Sequence, residues 1–253
     1  MTDPRQRDQM SRNGTRHGDV SYVSIGVPDG AGGRAFYGSV LGWRFAASPP
    51  GATGNQVEEV IPEVGLWSGD EPGPPARHGA VLAFRVDGID AAVAALRQAG
   101  GTATGPARRP YGLESDCSDG HGLGFWLHQL PPAGLPAPQS GQRQGDLSYV
   151  VLSVEDLDAA ARLFAAVLGW ETSPGPGGGL QVQGVAPLVG IGAGGPALPG
   201  AVLCYRVDDI VAAVESVREV GGTATEPARR PYGLESSCAD DQGIPFYLHQ
   251  LSG

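Results

Sequence analysis

The chain writes one long stretch twice. Gly100–Leu130 reads GGTATGPARRPYGLESDCSDGHGLGFWLHQL and Gly221–Leu251 reads GGTATEPARRPYGLESSCADDQGIPFYLHQL, with 23 of 31 aligned positions identical at a single offset of 121 residues. A period this long is not a solenoid repeat; it marks duplication of a whole folding unit. Whatever the chain folds into must be built twice from one plan. Positions where the copies differ, or where both lack a residue type, are therefore informative.

The copies extend upstream. Val20–Val27 (VSYVSIGV) and Leu147–Val154 (LSYVVLSV) are β-branched and partly alternating, which predicts strands. Helical patterns follow: Phe36, Val40 and Leu41 within Gly30–Leu41, closed by Gly42, and Leu157, Ala160, Phe164 and Leu168 after the N-cap Asp156, closed by Gly169. Both end in VLGW runs, at Trp43 and Trp170, which lie 127 residues apart. The first half thus carries six extra residues, expected within Arg44–Gly79 in a hairpin such as the one near Ser48–Gly54. Short apolar runs broken by Gly and Pro, Val57–Trp67 and Leu180–Ile191, predict hairpins. Next come a strand (Ala80–Val86; Ala201–Val207) and a helix in which Ile89, Val93 and Leu96 match Ile210, Val214 and Val217. The last strands are Gly124–Leu130 and Pro245–Leu251, so each half reads β-α-β-β-β twice.

At 253 residues, the duplication suggests two domains of ordinary size, 19–130 and 146–253. A polar, aperiodic segment over 1–18 is expected to be a disordered tail, and the Pro-rich 131–145 an exposed linker. A net charge of −10 argues against nucleic acid, whose binders need a basic face, and favours neutral or cationic small molecules. Three widely spaced cysteines, Cys117, Cys204 and Cys238, suggest no disulfide framework and a reducing compartment. No apolar run reaches membrane-spanning length, and the N-terminus lacks the apolar core of a signal peptide. The expectation is a soluble cytoplasmic protein, monomer or homodimer, whose partner is a small-molecule ligand rather than nucleic acid or membrane.

The order of these pieces carries a resemblance. A strand, a Val-x-Asp turn, a helix ending in (F/Y)xxVLGW, three strands, FRVDGIDAAV and a terminal DxxGxxFxL strand resemble the vicinal oxygen chelate superfamily of glyoxalases, bleomycin-resistance proteins and dioxygenases, over about 19–130 and 146–251. The resemblance implies an α+β fold, a tandem two-domain member with four βαβββ modules forming two cup-shaped half-open barrels, each with a ligand cavity. In metal-dependent members of the superfamily the cavity holds a divalent ion on His, Gln or Glu side chains. These come from the first strand, the strand opening the second module and the terminal strand. Carried over one at a time, those positions are Tyr22 and Tyr149, Val81 and Val202, and Trp126 and Tyr247. None offers the oxygen or imidazole set such ions require. From Thr172 through Val207 there is no Asp, Glu or His at all. Of the five histidines, His17 lies in the expected tail, His78 and His121 in loops, and only His128 and His249 in terminal strands. One imidazole per cavity is not a metal site, so neither metal nor other cofactor is expected.

Aromatic rings take the place of the donors. Tyr22, Trp67, Trp126 and His128, and Tyr149, Tyr247 and His249, are the expected ligand-binding residues. They offer planar organic molecules a flat wall with polar handles, or else plug the cups as core. In the duplicated ARRPYGLES run, the pairs Arg108-Arg109 and Arg229-Arg230 could clamp an anion. Tyr111, Glu114 and His128, with Tyr232, Glu235 and His249, could serve as acids and bases. The alternative is a hairpin whose arginines are solvated or bridge the domains. Cys117 and Cys238 have no base fixed beside them and read as buried strand cysteines. The expected function is a metal-free binding protein of the bleomycin-resistance type, sequestering a planar or cationic organic metabolite or antibiotic. The alternatives are a metal-independent enzyme acting on an oxygenated metabolite through Arg109, Tyr111, Glu114, His128, Arg230, Tyr232, Glu235 or His249, and a metal-dependent lyase or extradiol-type dioxygenase whose ligands stand in another register.

Overall fold

β1 (Val20–Gly26) is the strand around which the first half is built. In the computed structural model, which describes residues 16–48, 53–68, 78–131, 140–195 and 199–252, β1 pairs parallel with β3 (Glu63–Trp67) and antiparallel with β4 (Gly79–Arg85). β2 (Gly54–Gln56) edges β3, and β4 pairs parallel with β8 (Gly124–Gln129), which forms a hairpin with β7 (Gly112–Ser118). β5 (Thr102–Ala103) and β6 (Ala107–Arg109) line the far edge of β7. The second half repeats the plan. β9 (Leu147–Val154) runs between β12 (Leu188–Ala193) and β13 (Gly200–Arg206), with β17 (Pro245–Leu251) and β16 (Gly233–Ala239) beyond and β11 (Leu180–Val182) edging β12. One backbone pair, Ala80 with Ala201, joins the two sheets. Mostly strands with four described helices, the architecture is α+β.

Period-2 alternation sends one set of side chains to each face. Val23, Ile25, Val64, Leu66, Leu82, Phe84, Phe125 and Leu127 are at most 2% exposed and face the helices; their strand neighbours line the open face, the cup. Helix α1 (Gly30–Leu41) begins at Asp29, whose carboxylate accepts from the Ala31 amide, and stops at Gly42, left-handed at φ 72°. α3 (Leu157–Leu168) uses Asp156 and Gly169 in the same way. For α2 (Ile89–Gln98) and α4 (Ile210–Glu219) the duplicated LHQL run supplies the start: Gln129 and Gln250 accept from the Ile89 and Ile210 amides at 2.8 and 2.9 Å.

The halves do not keep separate cores. Phe36 and Tyr37 of α1 pack against Phe246 and Tyr205 of the second half, at ring separations of 6.0 and 6.3 Å, and Trp43 stacks on Tyr37 at 5.2 Å. Reciprocally, Phe164 of α3 meets Phe84 and Phe125 of the first half at 5.8 and 5.6 Å, and Trp170 meets Phe84 at 5.3 Å. The two VLGW indoles seal the seam, Trp43 donating to the Gly145 carbonyl and Trp170 to the Gly18 carbonyl. A sheet apolar on one face must be covered, and each half covers part of the other.

Of the expected tail, Arg16–Gly18 are described and folded: the Gly18 amide donates to the Arg85 carbonyl, and His17 Nε2 lies 3.1 Å from the Val167 carbonyl. The rest of that tail, and 132–139 of the expected linker, lie outside the described residues. The six extra residues of the first half are not in one hairpin. Strand register equates Tyr22 with Tyr149 (offset 127), Gly65 with Gly190 (offset 125) and Gly79 with Gly200 (offset 121). Two therefore fall before β2 and four between Trp67 and Gly79. No helix among the described residues is long and apolar enough to cross a membrane.

Candidate functional site

Register assembles the cup linings. Across the first sheet Glu63, Tyr22, Ala83, Trp126 and Asp116 stand in one transverse row. The second sheet has Leu188, Tyr149, Cys204, Tyr247 and Ser237 in the same places. Tyr22, Trp126, Tyr149 and Tyr247 therefore share the open face, and each is half-buried. Val81 and Val202 lie on that face as well and are buried. Trp67, two residues beyond Gly65, is 37% exposed at the rim.

Both central tyrosines are seated on glycine. A Cβ at Gly65 would come within 1.9 Å of the Tyr22 hydroxyl, and one at Gly190 within 2.2 Å of the Tyr149 hydroxyl. Only a bare backbone leaves room for the phenol at the middle of each cup. The Trp67 indole donates to Tyr22 at 3.3 Å, whereas Tyr149 donates to Gln181 Oε1 at 2.7 Å. Burial raises the Tyr22 pKa well above that of an ordinary phenol and pushes Tyr149 up to about 12. Both hold their protons at neutral pH.

The candidate acids and bases converge into one network per half. Glu114 Oε1 accepts from Arg109 Nε at 2.9 Å, its Oε2 accepts from the Tyr111 hydroxyl, and His128 Nε2 lies 3.3 Å from Oε2, off the line of a straight hydrogen bond. The second half repeats this: Arg230 Nε to Glu235 at 3.0 Å, Tyr232 to Glu235, and His249 Nε2 at 3.4 Å. Each tyrosine ring leans over its histidine at 5.2 Å. Burial works to raise Glu114, but the adjacent His128, the Tyr111 hydroxyl and the Arg109 guanidinium outweigh it and bring the carboxyl down to about 2. For Glu235 the adjacent His249 leads, and the result is again about 2. Burial and the bond to glutamate raise Tyr111 and Tyr232.

Behind each histidine stands a serine that alternation alone would aim at the core. His128 Nδ1 lies 3.2 Å from Ser21 Oγ, which donates to the Ala83 carbonyl; His249 Nδ1 lies 3.1 Å from Ser148 Oγ, which donates to the Cys204 carbonyl. The pairing of β1 with β4 shifts register between Val20 and Tyr22, and that of β9 with β13 shifts at Cys204/Tyr205. Such a bulge re-aims a side chain, here Ser21 and Ser148. With the serine proton given to a carbonyl, each Oγ is free to accept from a proton on the histidine Nδ1. Arg109 and Arg230 are thus held by their own glutamates rather than open for an anion, while Arg108 and Arg229 are exposed. Cys117 and Cys238 are buried in strands, and burial pushes both thiols up to about 11.

The repeated Ser-Tyr-Val of the first strands was a visible signal for Ser21 and Ser148. Glu63, Gln56, Gly65, Gln181 and Gly190 gave none, because they align at an offset that neither long match has. Among the described residues no group of three or more His, Cys, Asp or Glu side chains is arranged to hold a metal ion. The residues at the six superfamily positions do not fit one, and each Glu–His pair is already bound to Arg, Tyr and Ser.

Residues 19–127 match the family model described as Glyoxalase/Bleomycin resistance protein/Dioxygenase superfamily. No curated protein sequence matches the chain. Among solved structures, the Mn(II)-bound glyoxalase from Novosphingobium aromaticivorans is 20% identical, with a TM-score of 0.67 over 92% of this chain and 82% of that one. A catechol 2,3-dioxygenase is 16% identical (TM-score 0.67, 94% and 89% covered), and the 2,3-dioxygenase LapB from Pseudomonas sp. KL28 is 17% identical (0.65, 96% and 94%). At these identities the structures share the fold. Residues 19–127 thus match the glyoxalase/bleomycin resistance protein/dioxygenase superfamily, and the chain as a whole shares the fold of these structures.

Proposed function

We propose that the chain is a small-molecule-binding member of its superfamily whose cups take planar organic ligands without an ion. The observation that carries this reading is the tyrosine hydroxyl seated over Gly65 and again over Gly190, with Ala83 and Trp126, and Cys204 and Tyr247, as the next positions of each row and Glu63 and Asp116 at the two ends of the first. Such a row has rings and a hydrogen-bonding handle, which suit affinity for flat molecules. Its two carboxylates, Glu63 and Asp116, stand at opposite ends of the first row with Tyr22, Ala83 and Trp126 between them, and no third donor gathers with them among the described residues.

A second reading has its own support. The solved relatives are named as a Mn(II)-bound glyoxalase and dioxygenases, and by themselves these names favour a metal-dependent lyase or extradiol-type dioxygenase. That reading requires the Glu114–His128 or Glu235–His249 pair to release its present partners and find a third donor. Metal analysis of the purified protein, followed by titration with Mn²⁺ and Fe²⁺ in a calorimeter, separates the two. The ion-free reading expects no stoichiometric metal and no saturable heat; an ion bound at one per cup would replace it with the second. Turnover of a ligand found by thermal-shift screening would make the chain an enzyme rather than a sequestering protein.

A further inference from the structure

The two central phenols have opposite hydrogen-bond polarity. Tyr149 gives its proton to Gln181 Oε1, and that amide is fixed by its own donation to the Val182 and Val189 carbonyls at 3.1 and 3.0 Å. Tyr149 can offer a ligand only oxygen lone pairs. Tyr22 is arranged the other way: its oxygen receives the Trp67 indole N–H, and its own O–H meets no acceptor among the described residues. Beside it stands Gln56, which occupies the place of Gln181, since each glutamine faces the glycine beneath its tyrosine. The Gln56 Nε2 is buried with no hydrogen-bond partner among the described residues.

The difference traces to one position. Trp67 stands where the second half has Gly192, and it lies so close over Gly54 that a Cβ there would come within 2.4 Å of the ring. The indole claims the Tyr22 oxygen and leaves two donors on the open face of the first sheet, Tyr22 O–H and Gln56 Nε2–H, without an acceptor among the described residues. Buried donors are costly unless satisfied, so an oxygen delivered there is bound by both. Glu63 beside Tyr22 and Asp116 beside Trp126 put two carboxylates in the same row, which disfavours a negatively charged oxygen. Ala83 separates Tyr22 from Trp126 by two strand spacings, about 10 Å, and Trp126 leans away to donate to Asp116 at 2.8 Å.

We propose that the first cup is a subsite for a flat, uncharged aromatic carbonyl compound, its carbonyl oxygen accepting from Tyr22 O–H and Gln56 Nε2–H, and that the second cup does not share this preference. The inference rests on the ligand-binding reading above and names the ligand class for one of its two cups.

The test uses the full chain and two probes of one shape, 9-fluorenone and fluorene, which differ by the carbonyl. Affinity is read by calorimetry and by quenching of tryptophan emission. Trp67 and Trp126 line the first cup, whereas Trp43 and Trp170 are 6% and 4% exposed in the seam between the halves. The wild type is expected to bind fluorenone about five- to tenfold more tightly than fluorene, the worth of one or two such hydrogen bonds. Tyr22→Phe and Gln56→Leu are each expected to remove part of that preference and the double variant all of it, while fluorene binds as before; Tyr149→Phe should remove none. Equal binding of both probes by the wild type, or loss of the preference in Tyr149→Phe rather than Tyr22→Phe, overturns the inference and leaves the ligand-binding reading in place. Failure of both probes to bind at all overturns both.

Discussion

Glu114 Oε2 lies 3.3 Å from His128 Nε2 across the β7–β8 pair, inside a network that also takes in Arg109, Tyr111 and Ser21. Its copy, Glu235 with His249, keeps the same partners at nearly the same distances. The ARRPYGLES run is thus the sequence of a tied-down hairpin, with Tyr111 folded over an imidazole at the end of the cup.

That network makes stability depend on acid. Glu114 and Glu235 both titrate near 2 in the folded chain, below the ~4.3 of an unfolded glutamate. A depressed carboxyl contributes stability that is complete above the unfolded value and is lost as pH falls through the folded one. Urea midpoints are expected to be level from about pH 7 to 5 and to fall from about 4.5 to 2. The double variant Glu114→Gln/Glu235→Gln should flatten that descent, and an unchanged slope in the variant would sink the assignment.

Gly65→Ala places a methyl group on the Tyr22 hydroxyl. The obstacle is the far end of a side chain, so the phenol swings aside and the chain still folds, at a cost of about 1–2 kcal/mol. The expected signature is a shift in tryptophan emission as Trp67 loses its acceptor, with loss of ligand affinity in the first cup alone. Gly190→Ala should displace Tyr149 from Gln181 and leave the emission unchanged.

The exchanged aromatics couple the halves. Phe164→Ala is expected to cost about 3–5 kcal/mol and, although Phe164 belongs to the second half, to destabilise the first half equally because Phe84 and Phe125 lose their cover. Tyr37→Phe, which strips Asp240 of a hydrogen bond from across the seam at 3.0 Å, should cost about 1–3 kcal/mol. Unfolding followed by hydrogen exchange resolved to each half should show one transition; two separate ones would contradict a shared core.

Exhaustive dialysis against a chelator is expected to leave Tm unchanged. A resident ion stabilises the state that binds it by mass action, so a fall in Tm that Mn²⁺ restores would favour the metal-dependent reading.

Strands, helices and caps were legible from local pattern. Alternation around Tyr22, the stripe of Ile89, Val93 and Leu96, and the closing Gly42 and Gly169 all fall where the structure has them, because these depend on neighbours a few residues away. The absence of donors at Tyr22, Val81 and Trp126 was equally a matter of identity and count. The duplication, too, required only comparison of the chain with itself.

Tertiary structure alone decided the rest. The six extra residues proved to be split between two places, because strand register, not sequence similarity, equates Gly65 with Gly190. A one-residue bulge turned Ser21 and Ser148 toward the histidines, which no strict period of two can foresee. The exchange of Phe36, Tyr37 and Phe164 between halves, and the opposite polarity of Tyr22 and Tyr149, depend on which strand and which helix come to lie alongside. Alternation dictates which face a side chain takes; its partner there is supplied by residues tens of positions away, and only the packed sheet brings them together.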